Sequence, residues 1–195
     1  MVPKTSMLFS CNNNILIIST ILIIIVTIIP TPTHATFSKT ISKLQQPTNL
    51  THLQFYFHDY VAGPNPTAIR IAQAKTTDTS RSTFGALVMI DDPLTEGPDN
   101  SSKVIGQAQG MYGFADQQQF ALIMTMNFVF NEGQYNGSTL SVIGRNPVME
   151  DVRELAIVGG SGVFRFASGY AQAHTITMMD PNGATIVEYN VYVSH

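Results

Sequence analysis

Cysteine is nearly missing from this chain, and the single one, Cys11, sits near the N-terminus. Charge is scarce as well: 12% of residues are charged, ten basic against thirteen acidic, for a formal net charge of −3. No basic cluster gathers along one face, which excludes a nucleic-acid partner. No stretch carries a convincing helical period, so a helical fold is excluded too. His52, His58, His174 and His195 lack metal-ligand spacing, and no cysteine cluster could replace them, so no metal and no cofactor are expected. The Gly-x-Ser-x-Gly elbow of a serine nucleophile is absent. Val158-Gly159-Gly160-Ser161-Gly162 lacks both the third glycine of a dinucleotide loop and the Lys-Ser/Thr of a nucleotide loop, and reads as a tight turn between strands.

The long apolar run is at the N-terminus. Lys4 precedes an apolar stretch from Ile15 to Ile29 that ends at Pro30 and Thr33-His34-Ala35, the pattern of a secretory signal peptide over residues 1–35. Retention as a signal anchor is the alternative, although the run is short of the roughly 20 residues that a span requires. Cleavage would remove Cys11, so stability must come from a packed core without a disulfide. The remaining chain suffices for one domain, which at this size buries about 70% of its unfolded surface. Three sequons, at Asn49, Asn100 and Asn136, agree with export to the cell exterior and with glycosylation.

Residues 36–48 are polar, without a period, and read as an arm over the surface. Strand patterns follow, at 50–59, 67–75, 83–90, 103–112, 120–130, 138–143, 164–178 with a bulge or bend at Gly169, and 185–193. In the first, Leu53, Phe55, Phe57 and Asp59 share one face, which puts a carboxylate among aromatics. The breakers are Gly63-Pro64-Asn65-Pro66, Asp91-Asp92-Pro93, Gly97-Pro98 and Ala115-Asp116, and Asn136-Gly137 and Asn182-Gly183 are hairpin dipeptides. About eight strands with hairpin-sized connections predict an all-β fold, an eight-stranded antiparallel barrel over residues 49–195, with a sandwich as the alternative. Phe120–Phe130 is apolar on both faces, which predicts that its outer face meets another subunit. Small residues Gly106, Ala108 and Gly110 leave room for a ligand or a neighbouring backbone.

The polar groups left among these apolar strands are Asp59, Tyr112, Arg145, Asn146, Arg153 and Arg165. Tyr135–Pro147 and Val152–Leu155 read as the wall and rim of a cavity, with Arg145, Asn146 and Arg153 contributing to it. Asp59 beside Phe55 and Phe57 suits a proton donor, because desolvation raises a carboxyl pKa, whereas a nearby Arg153 would oppose that shift.

At these residues the chain resembles the plant dirigent family, from Asn49 to His195. The resemblance is carried by Phe55-Tyr56-Phe57-His58-Asp59, Asp91-Asp92-Pro93-Leu94-Thr95, Gly106–Tyr112, Asn127–Phe130, Tyr135–Pro147, Val152-Arg153-Glu154-Leu155, Val158–Gly162 and Val187–Val191. It implies an eight-stranded barrel similar to allene oxide cyclase, a homotrimer, secretion to the apoplast and glycosylation, with no membrane contact after leader cleavage. Dirigent proteins hold phenoxy radicals made by a separate oxidase, such as monolignol radicals, or the quinone methides that follow, so that coupling gives one stereoisomer. Pterocarpan synthases are relatives that dehydrate an isoflavanol and close its ring. By the resemblance, Asp59 and Arg153 are the catalytic candidates. Tyr112, Arg145, Asn146, Phe55 and Phe57 are candidates to bind a small phenolic substrate. Lignan-forming members carry an aspartate where this chain has Asn146, and two cysteines that it lacks. These departures point to the cysteine-free branch that includes pterocarpan synthases.

Overall fold

Apolar side chains at every second position, separated by turn residues, let a sheet bury one face by closing on itself. In the computed structural model, which describes residues 50–195, nine strands form: β1 (Leu50–Tyr60), β2 (Ala68–Ala72), β3 (Leu87–Thr95), β4 (Val104–Phe114), β5 (Ala121–Phe130), β6 (Thr139–Pro147), β7 (Val152–Ser161), β8 (Ser168–Thr177) and β9 (Ala184–Ser194). The segments expected to be a leader and an arm, and Asn49, lie outside the described residues.

All pairings are antiparallel, in the order β1-β9-β8-β7-β6-β5-β4-β3, and β1 pairs with β3 through Tyr56–Thr95 and Phe57–Leu94 to close an eight-stranded barrel. The ninth strand, β2, lies on the other half of the same β3 edge, with Ala68 opposite Ile90. No α-helix occurs among the described residues; three short 3-10 turns connect strands.

The expected count of eight barrel strands holds, but its members differ. The segment at 67–75 is β2, which flanks the barrel instead of closing it. The missing member is β7, because Val158–Gly162 is mostly strand and not a turn. Gly159 and Gly160 pair with Ser141 and Leu140, and the register jumps so that Val158 is left over as a bulge. Glycine is required there: a Cβ on Gly160 would lie 2.5 Å from the Thr139 carbonyl oxygen. The turn comes just after, at Gly162–Phe164.

Asp91-Asp92-Pro93 is likewise no breaker; it lies inside β3. The Asp91 N–H bonds the Thr67 carbonyl, and strand alternation puts the Pro93 nitrogen on the same side, between the end of the β2 pairing and the start of the β1 pairing. A missing donor costs nothing at such a position. Gly169 is a regular member of β8 opposite Val193, whose neighbour Tyr192 would crowd any Cβ; the irregularity of this strand falls between Thr175 and Thr177.

One half of the barrel is filled. Phe55, Phe128, Leu140, Leu94, Val191 and Val193 are fully or almost fully buried there, and Phe55 and Tyr189 pack edge-on against Phe128 with ring centroids 4.9 and 5.2 Å away. Each such side chain contributes about 1.5–3 kcal/mol from area removed from water. The Gly106 and Gly110 positions admit a neighbouring backbone and not a ligand, since a Cβ there would come within 2.3 Å of the β5 carbonyls of Val129 and Thr125.

Candidate functional site

The C-terminal end of β1 and the facing ends of β3 to β9 surround the open half of the barrel. They enclose a cavity of about 540 Å³, within the range of small-molecule sites. Its walls are mostly apolar, with Phe57, Leu122, Met124 and Val187 inside and Phe120, Met149, Met178 and Met179 near the mouth. Polar groups reach it chiefly as two hydrogen-bonded pairs.

The first pair is Asp59 and Tyr112. Period two carries Asp59 inward behind Phe55 and Phe57, and Tyr112 inward from β4. The Tyr112 hydroxyl donates to Asp59 Oδ2 over 3.1 Å, and Asp59 Oδ1 is buried without a hydrogen-bond partner. Burial pushes the Asp59 pKa up to about 6 against the opposing pull of the Tyr112 bond. Arg153 is not among the groups that shift it, so desolvation prevails in the contest posed by the sequence. Burial, followed by the Asp59 charge, raises the Tyr112 phenol in turn.

The second pair is Arg153 and Asn146, on β7 and β6. Arg153 is 3% exposed, and its Nε donates to Asn146 Oδ1 over 3.0 Å; one terminal nitrogen reaches the carbonyls of Glu150 and Asp151 at 3.4 and 3.5 Å. No carboxylate lies within ion-pair distance of it among the described residues. Burial lowers its pKa, and the guanidinium is held entirely by neutral acceptors. Tyr189 lines the cavity beside it, its phenol raised mainly by burial.

Of the residues proposed from sequence, Asp59, Tyr112, Asn146, Arg153 and Phe57 line this cavity. Two do not. Arg145 precedes the inward Asn146 on the same strand, so alternation turns it outward, where its side chain meets Asp116 at 3.4 Å in solvent. Phe55 lies one strand repeat deeper than Phe57 and belongs to the packed half, 1% exposed. Sequence reasoning missed Arg70 and the mouth methionines, because β2 was taken for a barrel strand and the β6–β7 and β8–β9 connections carried no pattern. It also missed Asp92. Val88, Ile90, Asp92 and Leu94 alternate inward on β3, a signal hidden by reading Asp91–Pro93 as a break. Of the sequons within the described residues, Asn100 and Asn136 are both exposed, and Asn100 Oδ1 accepts from the Tyr60 hydroxyl at 3.0 Å.

The family model for dirigent-like proteins matches residues 50–194. Dirigent protein 11 of Arabidopsis thaliana is 46% identical over 185 residues, covering 92% of this chain and 91% of that protein. Pterocarpan synthase 1 of Glycine max is 50% identical over 146 residues, covering 74% and 78%. The solved structure of a pterocarpan synthase dirigent protein superposes with a TM-score of 0.71 at 48% identity, covering 75% of this chain and 85% of that one. With the family match spanning the whole barrel and the barrel itself superposing on such a structure, this chain belongs to the dirigent family.

Proposed function

We propose that the protein binds a phenolic compound in the open half of its barrel and directs the stereochemistry of a reaction that passes through a quinone methide. The observation that carries this reading is the placement of a carboxyl with a raised pKa and an arginine without a carboxylate partner in one apolar cavity. A carboxyl whose pKa is raised to about 6 keeps a usable fraction of its acid form near neutrality. An arginine held only by neutral acceptors retains its charge for an incoming oxyanion.

In the dehydrating version, Asp59 donates its proton to the departing benzylic hydroxyl, the C–O bond breaks and water leaves. The phenol loses its proton to solvent as the quinone methide forms, and Arg153 stabilises the negative charge that develops on that oxygen. A second phenolic hydroxyl of the same molecule then adds to one face; its proton returns to Asp59, and the regenerated phenolate regains a proton from solvent. An isoflavanol has the groups for this sequence, and the pterocarpan synthase relatives, at up to 50% identity, support it. In the coupling version a separate oxidase makes monolignol radicals, and the same residues only hold two phenols in one orientation. Selecting one mirror image at 100:1 requires about 2.7 kcal/mol, which one or two hydrogen bonds can supply.

The reading extends to the whole molecule. The leader and sequons support export to the apoplast as a glycoprotein with no membrane contact. An exposed apolar row, Ile69, Met89 and Met111 on three neighbouring strands, with Ile143 beyond Thr125 of β5, supports assembly with two further copies into a trimer.

Purified protein given a chiral isoflavanol alone, and coniferyl alcohol with a one-electron oxidant separately, tests the two versions by chiral chromatography. Turnover without oxidant selects the dehydratase; enantiomeric excess only with oxidant selects the coupling role. Neither outcome with any phenol overturns the proposal.

A further inference from the structure

Behind the cavity wall lies a second carboxyl that the reaction above does not use. Asp92 on β3 is 0% exposed and is not itself part of the cavity lining. Its Oδ1 accepts a hydrogen bond from Thr67 Oγ1, and its Oδ2 is buried with no partner. Asp59 Oδ1 is the other buried side-chain oxygen without a partner among the described residues. The β1–β3 pairing ends at Phe57–Leu94; Asp59 and Asp92 stand two residues further along the two strands, close enough for the Asp59 charge to act on Asp92. Both side chains lie on the inner face.

The groups around them do not relieve this crowding of acids. From β1 come Asp59 and Tyr60, from β4 Tyr112 and from β9 Tyr189, each coupled electrostatically to Asp92; Asp91 on its own strand adds a further negative charge. The cation on β2, Arg70, is engaged by Gln73 and Asp78. No lysine or arginine bonds either carboxyl among the described residues. Two like charges in such a place cannot both persist at neutral pH, so one proton stays.

We propose that Asp92 is a positioning residue that acts through Asp59, the two carboxyls forming one proton-sharing pair in which Asp92 is the reserve acid. This rests on the reading of Asp59 as the proton donor. Once Asp59 has given up its proton, the Asp92 O–H transfers its own to the Asp59 carboxylate; the charge moves to Asp92, where the Thr67 hydroxyl bonds it. The proton released on ring closure returns to the pair. Burial and then the Asp59 charge raise the Asp92 pKa to about 8, so the pair as a unit keeps one proton beyond the pH at which its first is lost.

The test is a carboxyl carbon-13 NMR titration of the intact protein, its Asp92→Asn and Asp59→Asn variants and Thr67→Val, each checked by circular dichroism. In the parent, both resonances should respond in two shared steps. Each Asn variant should leave a single step on the surviving carboxyl, and Thr67→Val should move the upper step to higher pH. Independent single-step curves, unchanged by loss of the other carboxyl, overturn the proposal. If an Asn variant does not fold, Thr67→Val decides: an upper step that stays in place, or shifts without a matching response on Asp59, overturns it. In turnover assays, Asp92→Asn should move the alkaline limb to lower pH. A uniform loss at every pH would assign Asp92 a packing role and overturn the proposal. Shared titration without turnover of any phenol would leave the pair intact and refute the function instead.

Discussion

Tyr112 and Asp59 are 53 residues apart in sequence, and the phenol of one donates to the carboxylate of the other at the floor of the cavity. The bond favours the charged form of Asp59, while burial favours the acid. Tyr112→Phe therefore should move the Asp59 titration to higher pH and carry the alkaline limb of any acid-dependent turnover with it. Losing the bond should cost about 1 kcal/mol, read as a fall in Tm.

Arg153→Ala should lower turnover or stereocontrol at least 100-fold, measured as product enantiomeric excess and kcat. Its effect on folding should be milder than the ~3–5 kcal/mol for breaking a buried ion pair, because no carboxylate is left stranded. Chemical denaturation separates the two effects.

Asn146→Asp should place a carboxylate against the Arg153 guanidinium and restore its pKa upward. Tm should stay the same or rise, whereas affinity for a phenolic ligand should fall as the cavity loses its free cation, a change that calorimetric titration would register.

Stability should decline with rising pH through the neutral range. Both Asp59 and Asp92 hold their protons more tightly when folded, at about 6 and about 8, than an unfolded aspartate, which ionises near ~4. Between those values the folded state binds protons that the unfolded state has released, so stability is greatest at the acid end of the window and is lost progressively as pH rises through the two folded values. Tm recorded from pH 4 to 9 should show this slope, and the double Asn variant should flatten it.

Arg145→Ala should change neither turnover nor stability by more than about 0.5 kcal/mol, since its partner Asp116 is met in solvent. An equal loss for Arg145→Ala and Arg153→Ala would contradict the inward and outward assignments on β6 and β7.

The alternation of Phe55, Phe57 and Asp59, and of Val187, Tyr189, Val191 and Val193, fixes which face of each strand is inside, because side-chain direction in a strand is a local property with period two. From that alone an all-β fold and the placement of Asp59 on the aromatic face were legible, whereas Tyr112 and Arg153 were given their roles through the family resemblance. What period two cannot reveal is where a register slips or an edge is shared. The Val158 bulge hid β7 behind glycines, and the divided edge of β3 made β2 pass for a barrel strand while Asp91–Pro93 passed for a turn. Depth along the barrel was equally invisible: Phe55 and Phe57 share a face, yet only the filling of the lower half by Phe128 and Tyr189 puts one in the core and the other in the cavity wall. Proton affinity is the last such property. A sequence shows Asp59 and Asp92 as two ordinary carboxyls 33 positions apart, and only the closed barrel withdraws them from water, which raises both pKa values, and brings the Asp59 charge to bear on Asp92.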